Sequence, residues 1–107
     1  MKIARIDEFK NGWFIGGFEP SIVNTKDFEV CFKSFSPGET EPKSIQRIAT
    51  EITLVVSGSV KINDHVLNAG ELCLIPPGEP ADFLSITESS LIGVKFPSMP
   101  NDKSLVP

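Results

Sequence analysis

Gly70-Glu71-Leu72-Cys73-Leu74-Ile75-Pro76-Pro77-Gly78 decides the fold when it is read with Glu51-Ile52-Thr53-Leu54-Val55-Val56-Ser57-Gly58 upstream of it. The upstream run is rich in β-branched residues and ends on a Ser-Gly pair. In the downstream run a glycine opens the segment Leu72 to Ile75, and Pro76-Pro77-Gly78 stops it. Short apolar, β-branched runs bounded by glycine and proline are the pattern of strands in an all-β chain. Between them, Val60-Lys61-Ile62 and His65-Val66-Leu67 read as a hairpin, with Asn63-Asp64 or Ser57-Gly58 at its tip.

The same punctuation continues outward. Phe28 to Phe35 alternates Phe28, Val30 and Phe32 against Glu29, Cys31 and Lys33, which predicts a strand. Ser36-Pro37-Gly38-Glu39 is a turn, Ile45 to Ile48 a short extended piece, and Ala81 to Thr87 and Leu91 to Phe96 the last strands. Ile3 to Phe9 suits a short strand or a helical turn. Residues 11–25 hold Gly12, Gly16, Gly17 and Pro20 and read as a loop with an apolar underside, because each glycine disfavours a helix by about 1 kcal/mol relative to alanine. Residues 97–107 form a proline-punctuated tail placed to lie over a barrel mouth or reach a neighbour. Many short strands and no long helix predict a sandwich or barrel.

Composition narrows the partners. The chain has 107 residues, enough for one small domain, and 40% hydrophobic residues, enough for one modest core. A net charge of −4 argues against a surface that tracks phosphates, so no nucleic acid partner is expected. The start, Met1-Lys2-Ile3-Ala4-Arg5-Ile6-Asp7-Glu8, is charged where a signal peptide needs an apolar run. No stretch approaches the roughly 20 apolar residues of a membrane span. The expectation is a soluble cytoplasmic protein without a membrane partner, in which Cys31 and Cys73 stay free thiols.

The spacing of these residues resembles the cupin family, and in particular small single-domain bacterial cupins of the RmlC-like kind. The first cupin motif runs glycine, five residues, His-x-His, three or four residues, Glu, six residues, glycine. Gly38, Ser44, Gln46, Glu51 and Gly58 fall on it. The second runs glycine, five residues, Pro-x-Gly, two residues, His, three residues, Asn. Gly70, Pro76, Gly78, Ala81 and Ser85 fall on it. The resemblance implies an all-β cupin, a double-stranded β-helix or jelly-roll barrel, spanning about residues 26–97 of a single 1–107 domain with an N-terminal arm and a C-terminal tail. It also implies a homodimer, which would cover edge strands and the apolar arm.

The departures from the family pattern concern chemistry. Where the family places its metal ligands, two histidines and a glutamate in the first motif and a histidine in the second, this chain has Ser44, Gln46, Glu51 and Ala81. The single histidine, His65, lies off those positions, at the edge of a hairpin. Hydroxyl and amide oxygens are poor ligands for zinc, iron, nickel or copper, so no metal and no other cofactor are expected. If Glu51 keeps its cupin position it points into the barrel, with Thr53 and Val55 on the same strand face, and Ser44 and Gln46 alternate so as to share the interior face from their own strand. A buried Glu51 needs a partner, for which Gln46, Ser44, Arg47 and Lys95 are candidates.

The expected ligand site is therefore Ser44, Gln46, Glu51, Thr53, Ala81 and Phe83, suited to a small polar molecule such as a sugar or sugar derivative. Two other readings stay open. One is a cupin enzyme, an isomerase or epimerase or a metal-dependent one, that uses Glu51 as its catalytic group. The other is a structural or regulatory subunit with a vestigial site. Asp82 is expected to face solvent, Cys73 to be an inert thiol, and Trp13 and Phe14 to serve a core or an interface in preference to an aromatic lid.

Overall fold

The β-branched run at residues 50–57 lies inside a six-stranded sheet. The computed structural model describes residues 1–107. Two 3-10 turns, Ile6–Glu8 and Lys10–Gly12, precede eleven strands. These are β1 (Trp13–Gly16), β2 (Val23–Asn24), β3 (Glu29–Phe35), β4 (Thr40–Gln46), β5 (Thr50–Ser57), β6 (Ser59–Ile62), β7 (His65–Asn68), β8 (Leu72–Ile75), β9 (Ala81–Ser85), β10 (Ser89–Phe96) and β11 (Lys103–Leu105). One sheet has the order β2-β1-β3-β10-β5-β8 and the other β11-β4-β9-β6-β7. All pairings are antiparallel except β1 with β2. No helix is long and apolar enough to cross a membrane.

The expected hairpin forms with Asn63-Asp64 at its tip, where Ile62 pairs with His65 and Asn63 takes a left-handed φ of 53°. Asn63 also ties this turn to β9: its N–H donates to Asp82 Oδ1 at 2.8 Å, and the Asp82 N–H donates back to Asn63 Oδ1 at 3.1 Å. Gly58 has a different duty. It carries the chain from β5 in one sheet to β6 in the other at φ 75°, and a Cβ there would sit 2.1 Å from the Glu88 carbonyl oxygen. Only glycine fits such a crossing.

Three local expectations need correction. Residues 11–25 are not a loop throughout: β1 pairs with β3, and β2 with β1. A register shift between Trp13 and Ile15 breaks the ladder, and the surrounding glycines hide the alternation of this edge segment. The piece at 45–48 is displaced, because β4 covers Thr40–Gln46 and the chain bends at Arg47. The start of β4, Thr-Glu-Pro-Lys, has no apolar periodicity. Pro42 lies where the pairing with β9 slips between Glu41 and Ser44, as expected of a residue with no N–H to donate. Finally, the tail contributes β11, paired with β4, so the two sheets draw on strands outside residues 26–97.

Val55, Val60, Ile62, Leu67, Ile75, Phe83 and Leu91 pack between the sheets as the apolar core. Val55 and Val60 are fully buried, each contributing about 1.5–3 kcal/mol. The Phe35 and Phe83 rings meet with centroids 4.5 Å apart. Other side chains of the interior are polar or charged: Glu29, Ser44, Gln46, Thr53 and Lys95 are all buried.

Candidate functional site

Strand alternation sends Glu29, Cys31 and Lys33 of β3, Leu91, Gly93 and Lys95 of β10, and Glu51 and Thr53 of β5 toward the facing sheet. That sheet supplies Ser44 and Gln46 from β4 and Ala81 and Phe83 from β9. All of these except Glu29 line a cavity of about 80 Å³; Glu29 lines the neighbouring hollow. All six residues expected from the sequence, Ser44, Gln46, Glu51, Thr53, Ala81 and Phe83, lie on its wall. Ile62, Ile75, Phe83 and Leu91 belong both to this wall and to the core, so the cavity rests on an apolar floor. At about 10–15 Å³ per enclosed water, the space holds several waters or a small molecule.

Charge is concentrated on one side. Lys95 stands directly across from Glu29 on β3 and from Glu51 on β5. Its Nζ lies 3.8 Å from Glu29 Oε1 and 4.0 Å from Glu51 Oε1. Glu51 also accepts a 3.1 Å hydrogen bond from Gln46 Nε2. Of the four partners proposed for Glu51, Gln46 and Lys95 therefore reach it. Ser44 lines the same cavity without a bond to it, and Arg47 is exposed. Glu29 Oε2 accepts from Ser98 Oγ at 2.7 Å, and Ser98 Oγ accepts from the Gly17 N–H at 2.9 Å.

Trp13 of β1 stands at the mouth. The ammonium groups of Lys95 and Lys33 lie 4.7 Å and 5.6 Å from its ring centroid, within cation–π range. Lys33 in turn pairs with Glu41 at 3.7 Å. Outside the mouth lies a shallower hollow of about 420 Å³ that shares Trp13, Gln46, Lys95 and Lys103 with the inner cavity. Burial pushes the Lys95 pKa down and Glu51 pulls it back up, with a net value below the ordinary 10.5. Burial likewise pushes the Cys31 thiol up to about 11, so it is not a ready thiolate. The Cys73 thiol is also raised, by burial and then by Glu51. Both cysteines are free, Cys31 buried and Cys73 half-buried.

His65 is exposed on β7 and is not among the cavity residues. Asp82 is exposed and held by Asn63, as expected of a solvent-facing residue, and it also lines the cavity. Trp13 lines both the cavity and the outer hollow, a place that fits the aromatic-lid alternative better than the core or interface role preferred from the sequence. The role of Glu29 was also missed, because it reads as an ordinary charged residue in an alternating strand. The only signal for it was its placement on the same strand face as Cys31 and Lys33.

The four positions that correspond to the family's metal ligands do converge: Ser44 pairs with Ala81 across β4 and β9, and both share the cavity with Gln46 and Glu51. Their chemistry does not fit a transition-metal ion. One carboxylate is the only strong donor, Ala81 offers none, and the Lys95 ammonium stands beside that carboxylate. No group of three or more His, Cys, Asp and Glu side chains gathers anywhere in the chain to replace them.

No protein-family model and no curated protein matches the sequence. Solved structures do match. A double-stranded β-helix protein from Klebsiella pneumoniae superposes with a TM-score of 0.70 at 20% identity, over 98% of this chain and 91% of that one. An RmlC-like cupin from Shewanella frigidimarina matches at TM-score 0.65 and 20% identity over 71% of each chain. A recombinant oxalate oxidase in complex with glycolate matches at TM-score 0.68 and 26% identity over 78% of this chain. The matched part is 48% of the oxidase, so this chain spans about half the length of that enzyme. The architecture is that of the cupins, an all-β double-stranded β-helix.

Proposed function

We propose that this small cupin binds a small, neutral polar molecule in its cavity and does so without a metal. The observation that carries the reading is the Lys95 ammonium, 4.0 Å from Glu51. In place of a metal ion, a lysine supplies the positive charge beside the one carboxylate that survives at the family's ligand positions. Glu51 and Lys95 then offer an acceptor and a donor, Ser44, Gln46 and Thr53 add more, and Phe83 and Leu91 form an apolar wall. Convergent polar groups over an apolar floor are the usual make-up of a small-molecule site. A sugar or other polyol matches this mixture, since its hydroxyls both donate and accept and its ring carbons lie against apolar surface. A strongly anionic ligand would meet Glu51, and a cationic one Lys95.

The test is a thermal-shift screen against monosaccharides, polyols, nucleotide sugars and small carboxylates, glycolate among them because a similar structure holds it. A ligand at 100 times its Kd stabilises by about 2.7 kcal/mol, well within reach of the assay. Stabilisation by at least one polyol or sugar is expected, with loss of the shift in Ser44→Ala and Gln46→Ala. No shift with any compound would sink the proposal. Elemental analysis of the purified protein adds an independent arm, in which stoichiometric iron, zinc, nickel or manganese would overturn the metal-free part.

A further inference from the structure

Lys95 is the one buried lysine of the chain. It lines the inner cavity and the outer hollow alike, so its side chain stands at the neck between them. The two carboxylates beside Nζ, at 3.8 Å and 4.0 Å, lie beyond hydrogen-bond distance. The nitrogen is therefore held by charge and keeps its bonding capacity free on the cavity side. Trp13 covers it from the mouth, with the ring centroid 4.7 Å from Nζ. The other lysines at the cavity differ. Lys33 is only half-buried and pairs with Glu41, and Lys103 is exposed.

We propose that Lys95 captures small hydroxyaldehydes covalently, as an iminium ion, and that Glu51 carries the protons this requires. The inference rests on the cavity being the ligand site and names the class of ligand that the site takes. A desolvated lysine at the neck of a cavity is the usual amine for carbonyl capture. Burial favours its neutral, nucleophilic form and lowers the Lys95 pKa below the ordinary 10.5, with Glu51 opposing. A two- or three-carbon hydroxyaldehyde takes up the space of several waters, which is what the cavity holds. Its hydroxyl groups suit Ser44, Gln46 and Thr53, and its carbons suit Phe83 and Leu91.

The step balances in atoms and charge. The ammonium gives a proton to Glu51, and the free amine adds to the carbonyl carbon. A C–N bond forms, the carbonyl π bond breaks, and the oxygen takes the proton back from Glu51. The carbinolamine nitrogen then loses a second proton to Glu51, and that proton leaves with the hydroxyl group as water while the C=N bond forms. Ammonium plus aldehyde has become iminium plus water, with no oxidant or reductant. The single positive charge between Glu29 and Glu51 is kept throughout, so the buried cluster is not left unbalanced. The two carboxylates divide the work. Glu51 lines the cavity, held at Oε1 by Gln46, whereas Glu29 lies outside it with its other oxygen bonded by Ser98. Glu51 moves protons and Glu29 holds the charge in place.

Borohydride trapping on the full chain tests this. The protein is incubated with glyceraldehyde, reduced with sodium borohydride, digested and mapped by mass spectrometry. The first adduct is expected on Lys95, with the exposed Lys26 and Lys43 unmodified at the same time point. Lys95→Arg should lose that adduct. Glu51→Gln, with an unchanged circular-dichroism spectrum, should slow trapping at Lys95 by about 100-fold, the lower range of general acid–base catalysis. Adducts on Lys26 and Lys43 with Lys95 bare overturn the proposal from the wild type alone, however the variants fold. Trapping at an unchanged rate in Glu51→Gln overturns the role given to Glu51. Glycerol, which has the hydroxyl groups but no carbonyl, separates this inference from the binding proposal. A thermal shift with glycerol beside a bare Lys95 refutes the iminium and leaves the cavity as a polyol site.

Discussion

Lys95 faces Glu29 across one strand boundary and Glu51 across the other, at 3.8 Å and 4.0 Å, so a single buried ammonium group serves two carboxylates. The cluster carries one negative charge more than it neutralises, and Gln46 and Ser98 supply the remaining donors. Removing the lysine leaves the buried Glu29 carboxylate and the half-buried Glu51 carboxylate without the cation they share.

Lys95→Met should therefore destabilise the fold by about 3 kcal/mol, the scale for breaking a buried ion pair by removing one partner. Glu51→Gln should cost less, because Lys95 keeps Glu29 and the new amide can still bond Gln46. Urea unfolding of the two variants side by side measures the difference. Equal losses would show that Lys95 contributes only packing.

Cys31 should make alkaline stability fall. Its thiol is raised from 9.0 to about 11 by burial, so between those values the unfolded chain gives up a proton that the folded chain retains. The folded state then binds more protons, and stability declines as pH rises. The stabilisation is complete below pH 9.0 and is lost through about pH 11, a change of about 3 kcal/mol for a shift of about two units. The comparison is wild type minus Cys31→Ala at each pH, which cancels the opposite contribution of Lys95. A flat difference from pH 8 to 11 would refute it. The same burial predicts that a thiol reagent at pH 8 labels Cys31 only as the chain unfolds.

Part of this was legible in the sequence. Gly58, Gly70, Pro76 and Gly78 mark chain reversals that backbone sterics enforce, and such positions survive translation from spacing to fold. The resemblance to the cupin motifs brings Ser44, Gln46, Glu51 and Ala81 together, and strand alternation adds Thr53 beside Glu51 and Phe83 beside Ala81. Trp13 and Glu29 could not be found that way. They enter through pairings of β1 with β3 and β3 with β10, contacts distant in sequence that no local period encodes. The alternation of β3 and β10 is also symmetric in what it reveals. It identifies a strand but does not say which face turns inward, and here Glu29, Lys33 and Lys95 turn inward while Val30, Phe32, Ile92 and Val94 turn out.

Gly58→Ala should be among the more damaging small substitutions. The added methyl would fall 2.1 Å from the Glu88 carbonyl oxygen and 2.9 Å from the Ser89 Cα, both backbone atoms that cannot rotate away. The positive φ adds its own strain. A loss above ~1 kcal/mol is expected, since alanine at such a φ forfeits more than the gain in unfolded-chain entropy returns. Gly78→Ala is the control. It has φ 84° but no atom within 4 Å of the added methyl, and should cost only the dihedral strain. Thermal melts that rank Gly78→Ala as the worse variant would contradict this account of the β5–β6 crossing.

Asp102 fastens the tail to the barrel. Its carboxylate accepts from the Ile48 N–H at 3.0 Å and the Ala49 N–H at 2.9 Å, across the bend between β4 and β5. Burial opposes the charge, but the backbone donors of Ala49, Ile48 and Arg47, with the Arg47 charge, outweigh it and hold the carboxyl below its ordinary 3.8. The stabilisation is present above pH 3.8 and is lost as pH falls through the lower folded value. Asp102→Ala leaves those donors without their partner, at a cost of about 1–3 kcal/mol. It also frees β11, whose Lys103 lines the cavity mouth. Hydrogen exchange should therefore rise at Ile48, Ala49 and residues 103–105 together, while β6 and β7 stay protected. Faster exchange confined to 103–105 would mean that Asp102 holds only the tail and not the bend that positions Gln46 and Glu51.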